Sequence, residues 1–125
     1  MLVREALAMR YWVNVPVQVT GYEGELGDNI DLVVQQLAKL ETCNGALLDY
    51  SADSDATDDS AEFAVTVEAS SVEEALSTGL SCIRSAIHAT GAATHGWDDT
   101  HVGDAVVIYQ ADADESVEVR PLVSA

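Results

Sequence analysis

Residues 11–20 read YWVNVPVQVT, from Tyr11 to Thr20, and the fold turns on how these ten residues are read. Tyr11, Val13, Val15, Val17 and Val19 alternate with Trp12, Asn14, Pro16, Gln18 and Thr20. A period of two puts each set on its own side of a pleated backbone, so the stretch reads as a strand with one apolar and one mixed face. Pro16 complicates that assignment. A proline has no N–H to give a ladder, so within a central strand it calls for a bulge, or else for an edge position.

Working outward, GYEGELGD (21–28) is a Gly-rich connection that ends at a helix cap, Asp28 or Asn29. Ile30, Val33, Val34, Leu37 and Leu40 then follow the 3.6-residue period, predicting a helix to about Thr42 that Asn44-Gly45 stops. A second strand is expected at 46–52 (ALLDYSA), followed by an acidic loop, SDATDDS. In AEFAVTVEAS (61–70), Phe63, Val65 and Val67 face one way while Glu62, Thr66 and Glu68 face the other. Ser71 and Glu74 form an S-x-x-E capping box ahead of a helix carrying Val72, Leu76, Leu80, Ile83 and Ile87 and ending at Gly91. Gly79 within it costs about 1 kcal/mol relative to alanine, which predicts a close approach of helix backbone to sheet. AVVIYQ (105–110) is a strongly apolar strand, ADADE a polar turn, and SVEVRPL alternates again, as the second arm of a hairpin or an extended C-terminal arm.

The order strand, helix, strand, strand, helix, strand resembles the ferredoxin-like βαββαβ sandwich, an antiparallel sheet with two helices on one face, here with room for an extra C-terminal strand. We expect an N-terminal extension over residues 1–10 and a single α+β domain over 11–125.

Charge narrows the function. Five Lys plus Arg against 22 Asp plus Glu give a net charge of -17, with Lys39 the one lysine. Such a surface repels phosphate backbones and anionic lipid, which argues against direct nucleic-acid or membrane binding and for cationic partners, or for salt tolerance. At 48% hydrophobic the chain is too apolar for a disordered acidic tail. Cys43 and Cys82 are too few and too far apart for a disulfide framework or a zinc ribbon and read as small buried thiols. MLVREALAMR has no stretch apolar enough for a leader, so the expected location is cytoplasmic.

The most chemical-looking stretch is HGWDDTH, residues 95–101. His95, Asp98, Asp99 and His101 offer imidazole nitrogen and carboxylate oxygen to a metal, yet their spacing matches no established metal motif and reads first as a polar connection. Trp97 within it either closes the end of the core or anchors a partner, and Trp12 raises the same question on the mixed face of the first strand. Asp53, Asp55, Asp58 and Asp59 hint at calcium, but counting from Asp53 places Asp58 where an EF-hand needs glycine and Ala64 where it needs glutamate. Cys82 and His88, six apart, do not share a helical face as a nucleophile–base pair would. GYEGELG lacks the glycine spacing of a phosphate loop, and no nucleophile elbow or dinucleotide fingerprint occurs.

The expectation is therefore a small non-enzymatic protein–protein interaction module, an oligomeric accessory or inhibitor protein of the phage type, that needs no cofactor and pairs with a basic partner or a second copy. Trp12, Trp97 and the acidic loop are its candidate contacts. Two alternatives stand beside it: an acidic mimic of nucleic acid that fills the groove of a DNA- or RNA-binding protein, and a small metal-dependent enzyme built on the 95–101 cluster.

Overall fold

Strand β1 (Met9–Thr20) pairs antiparallel with β3 (Ser60–Ala69) without a break from Met9↔Ala69 to Gln18↔Ser60, and the rest of the sheet grows from this spine. The structure is a computed structural model and describes residues 9–43, 47–95, 108–111 and 117–122. Within them the order is β1, α1 (Leu26–Cys43), β2 (Leu47–Asp55), β3, α2 (Val72–Ala89), β4 (Ala93–His95), β5 (Ile108–Ala111) and β6 (Glu118–Pro121). The chain is α+β. Its sheet runs β2-β3-β1-β5-β4, with β6 also on β1. Met9 and Arg10, expected in the N-terminal extension, belong to β1; residues 1–8 lie outside the described set.

The sheet is mixed rather than wholly antiparallel. Ala93–His95, expected within a connection, instead form β4, which pairs parallel with β5 through Ala93↔Ile108, Thr94↔Tyr109 and His95↔Gln110. A three-residue strand is too short to show a period, which is why the sequence does not announce it.

The apolar set of the first strand behaves as its alternation requires: Tyr11, Val13, Val15, Val17 and Val19 are all buried, against Phe63, Val65 and Val67 of β3 and the inner sides of both helices. In α1 the buried stripe is Leu26, Ile30, Val33 and Leu37. The helix starts two residues before the expected cap. The Glu25 carbonyl accepts from the Asp28 and Asn29 amides (3.2 and 3.4 Å) and from Asn29 Nδ2 (3.0 Å), so Asp28 lies in the first turn, where its charge favours the helix N-terminus.

Of the stripe expected in α2 (Val72, Leu76, Leu80, Ile83 and Ile87), Ile83 and Ile87 are buried and Leu80 packs against the core, but its first two members are not buried. Val72 is 47% exposed and Leu76 half-buried, while Ala75, Gly79, Cys82, Ile83, Ala86 and Ile87 are buried. Small residues win the inner face because the helix lies close to the sheet: a Cβ placed on Gly79 would stand 2.9 Å from Val13 Cβ and Cγ1. Ser71 caps the helix, accepting from the Glu74 amide at 3.1 Å. The Glu74 carboxylate returns one residue further back than a reciprocal box requires, to Ser70 N (2.6 Å) and Oγ (2.9 Å). Among the described residues no helix is long and apolar enough to cross a membrane.

The conflict at Pro16 resolves in neither expected way. The Val19 amide donates to Asp59 O on the β3 side, and Arg10 O accepts from the Leu122 amide on the opposite side. With the β1–β3 register unbroken, odd residues of β1 aim their backbone groups at β3 and even residues at the other edge. That other edge is shared. β6 pairs with Tyr11–Asn14 and β5 with Val17–Thr20, so the missing Pro16 donor falls within the stretch of β1, Val15 and Pro16, that neither strand pairs. β5 and β6 form no hairpin: both run antiparallel to β1, one after the other along the same edge.

Candidate functional site

Both helices pack on one side of the sheet, so the other side is defined by strand parity. It receives Asp49, Ser51, Asp53 and Asp55 from β2, Ser60, Glu62, Ala64, Thr66 and Glu68 from β3, Arg10 to Thr20 of even number from β1, and Glu118 and Arg120 from β6. Trp12 lies here, half-buried, with the Arg120 guanidinium 4.4 Å from its ring centroid and Arg120 Nε 3.3 Å from Glu118 Oε2. Asn14 Nδ2 donates to Glu62 Oε1 at 3.2 Å. Among the described residues this face thus carries six carboxylates, at 49, 53, 55, 62, 68 and 118, against two guanidiniums, at 10 and 120.

The acidic loop contracts to four residues. β2 pairs with β3 as far as Asp55↔Ser60, three residues past the expected strand end, which leaves 56–59 as the turn. Asp53 and Asp55 are therefore strand residues, and the acids near the turn shape it. Asp55 Oδ1 accepts from Thr57 N (3.0 Å) and Thr57 Oγ1 (2.5 Å), which holds its carboxyl below the usual range. Asp58 Oδ1 accepts from Ser60 Oγ at 2.6 Å. Asp59 adopts the left-handed region at φ 57°, its carbonyl takes the Val19 amide, and its carboxylate takes the Tyr22 hydroxyl at 2.5 Å. That bond, with some loss of hydration and the carboxylate charge, raises Tyr22 above an ordinary tyrosine. Two shallow polar depressions of about 210 and 220 Å³ flank this hairpin; Ser60, Ala61 and Glu62 line both, with Asp53 and Asp55 at one and Pro16 and Asp58 at the other.

Of the 95–101 set, the backbone of His95 is placed in β4, opposite Gln110. Trp97, Asp98, Asp99 and His101 lie outside the described residues. Among the described residues no three His, Cys, Asp or Glu side chains are grouped to hold a metal ion. Cys82 is buried, which pushes its thiol up, whereas His88 is exposed and shares a 3.0 Å hydrogen bond with Thr94 Oγ1. The sequence reading did not place Asp49, Glu118 or Arg120 on this face. Extending the period of two through 47–55 and across 118–120 would have put all three on the face of Trp12.

No protein-family model matches the chain, and no curated protein matches it. A solved structure of an uncharacterized protein from Thermotoga maritima is similar over 93% of this chain and 99% of its own, at 10% identity and a TM-score of 0.38. An overlap that loose carries no argument about fold or activity.

Proposed function

We propose that this chain is an interaction module that binds a cationic protein through the face of its sheet that neither described helix covers. The observation that carries the reading is the six carboxylates that the described residues place on that face, drawn from three strands, against Arg10 and Arg120. Opposite charge across an interface accelerates encounter and selects partners, whereas a second copy of the same face would bring like charges together. Trp12, braced by Arg120, supplies the aromatic surface around which such a contact can exclude water. We read the scaffold as a ferredoxin-like core, in which the run β2-β3-β1-β5 with both helices on one side supplies the βαββαβ order and β4 and β6 are additions.

The test is affinity capture at low and high salt, with the wild-type chain and an Asp49→Asn, Asp53→Asn, Glu62→Gln, Glu68→Gln variant as baits. A stoichiometric basic protein held by the wild type at low salt and lost by the variant supports the reading. Equal recovery on both baits, or no basic partner, overturns it.

A further inference from the structure

We propose that the outer edge of β2 is a docking strand, to which an extended, basic segment of the partner adds as a further strand of the sheet. This deepens the reading above and rests on it for the sign of the partner's charge.

The backbone geometry comes first. The parity fixed at Val19 and Arg10 carries through the registers of β1 with β3 and of β3 with β2. It aims the amides of Tyr50, Ala52 and Ser54 away from β3, at an edge that no described strand pairs. Two local bonds bear this out: the Tyr50 amide donates to Asp49 Oδ1 (2.8 Å) and the Ser54 amide to Asp53 Oδ1 (3.2 Å), each carboxylate folding back over the residue that follows it. Ala52 follows Ser51 and has no carboxylate behind it.

An edge strand left open templates pairing with other chains, and charged side chains are a common guard. Here the guard is selective. A second copy of β2 laid along this edge would set aspartates against aspartates, a repulsive cross-strand arrangement. A strand with lysine or arginine opposite Asp49 and Asp53 turns the same groups attractive. As the carboxylates swing onto the cations, the Tyr50 and Ser54 amides are released to the ladder, so main-chain bonds provide affinity and alternate side chains provide choice. On the opposite side of the edge, Tyr50 and Ala52 are packed against the core, so an incoming segment would set small apolar residues beside them. The chemistry that fits is a run of alternating basic and small apolar residues.

The probe is a blocked octapeptide of alternating lysine and valine, titrated into the full chain. Two further peptides carry N-methyl groups on all lysine amides or on all valine amides. In an added strand only one of these sets faces β2, the valines if it runs antiparallel and the lysines if parallel. We expect the parent to bind, one methylated peptide to bind at least tenfold more weakly than the other, and amide exchange at Tyr50, Ala52 and Ser54 to slow at least tenfold. Equal binding by all three, with exchange at those amides unchanged, overturns the docking edge and leaves a cation-binding face standing. No binding of the parent at millimolar concentration overturns the docking edge; if the two capture baits also recover the same proteins, the wider reading falls with it.

Discussion

Gly79 of α2 rests against Val13 of β1 so closely that a Cβ at position 79 would meet Val13 Cβ and Cγ1 at 2.9 Å. Both residues are buried, and Val13 belongs to a central strand, so neither backbone yields easily. Gly79→Ala should therefore destabilise. Overpacking of this kind costs about 1–3 kcal/mol, against the gain of about 1 kcal/mol that alanine brings to a helix interior. In a Val13→Ala background the Cγ1 and Cγ2 contacts are gone while the Cβ contact at 2.9 Å remains, so the same substitution should cost less. Urea unfolding of the four proteins checks this, and an equal Gly79→Ala effect in both backgrounds would refute the contact.

Pro16 and Val17 stand side by side in β1 with opposite demands on their nitrogens. Val17 is of the parity that donates to β3, whereas Pro16 points to the other edge, between the positions that β5 and β6 pair. Val17→Pro should cost at least about 2 kcal/mol, since it strands a buried acceptor on β3. Pro16→Ala should leave the β1–β3 ladder intact, with amide protection of Val13, Val15 and Val17 unchanged. Equal loss of protection in the two variants would contradict the assignment.

The Ser70–Ser71–Glu74 cap makes stability depend on acid. Bonds from the Ser70 amide and then the Ser70 hydroxyl hold Glu74 below its ordinary value of 4.5. A carboxylate depressed in the folded state contributes stability that is complete above its unfolded value and is lost as pH falls through the folded one. The advantage of the wild type over Glu74→Gln should thus be full at pH 7 and shrink below pH 4.5. The difference between the two curves is the readout, because acid also relieves the self-repulsion of a chain with net charge -17. Ser71→Ala should cost about 1 kcal/mol at any of these pH values. Chemical denaturation across the range measures both effects.

Arg120 braces Trp12 across the β1–β6 pair. Arg120→Ala should cost about 0.5–1 kcal/mol, the scale of an exposed cation–π contact. The neighbouring ion pair with Glu118 is exposed and adds little. In a Trp97→Phe background Trp12 is the sole indole, and its emission should shift to longer wavelength in Arg120→Ala. An unchanged spectrum would show that the guanidinium does not shield the ring.

What the sequence made legible was whatever repeats. The period of two in residues 11–20 and 61–70 gave both central strands, and the 3.6-residue period gave both helices, with Ser71 as the cap of the second. Gly79 even signalled the close approach that Val13 then supplied. Harder to read were features set by a partner elsewhere in the chain. β2 runs on to Asp55 because Ser60 to Glu62 pair with it, and polar residues 53–55 carry no sign of this. The inner face of α2 is set by its distance from the sheet, which favours Ala75, Gly79 and Ala86 over the larger Val72 and Leu76. The acidic site dispersed for a similar reason: Asp55, Asp58 and Asp59 are engaged by Thr57, Ser60 and Tyr22 in forming the hairpin, while Asp49 joined the face only once β2 had a register.

One consequence follows from the two strands that share an edge of β1. From Val17↔Ala111 to Asn14↔Glu118, the numbering steps back three positions along β1 while it advances seven from β5 to β6. β5 and β6 are each indexed on β1 by their own pairs, with Val15 and Pro16 lying between the two sets. The chain length between Ala111 and Val117 is thus uncoupled from the register on either side. This is where the fold can accept an inserted peptide, a fluorophore site or a second domain, and the melting temperature of such a fusion should stay close to that of the parent.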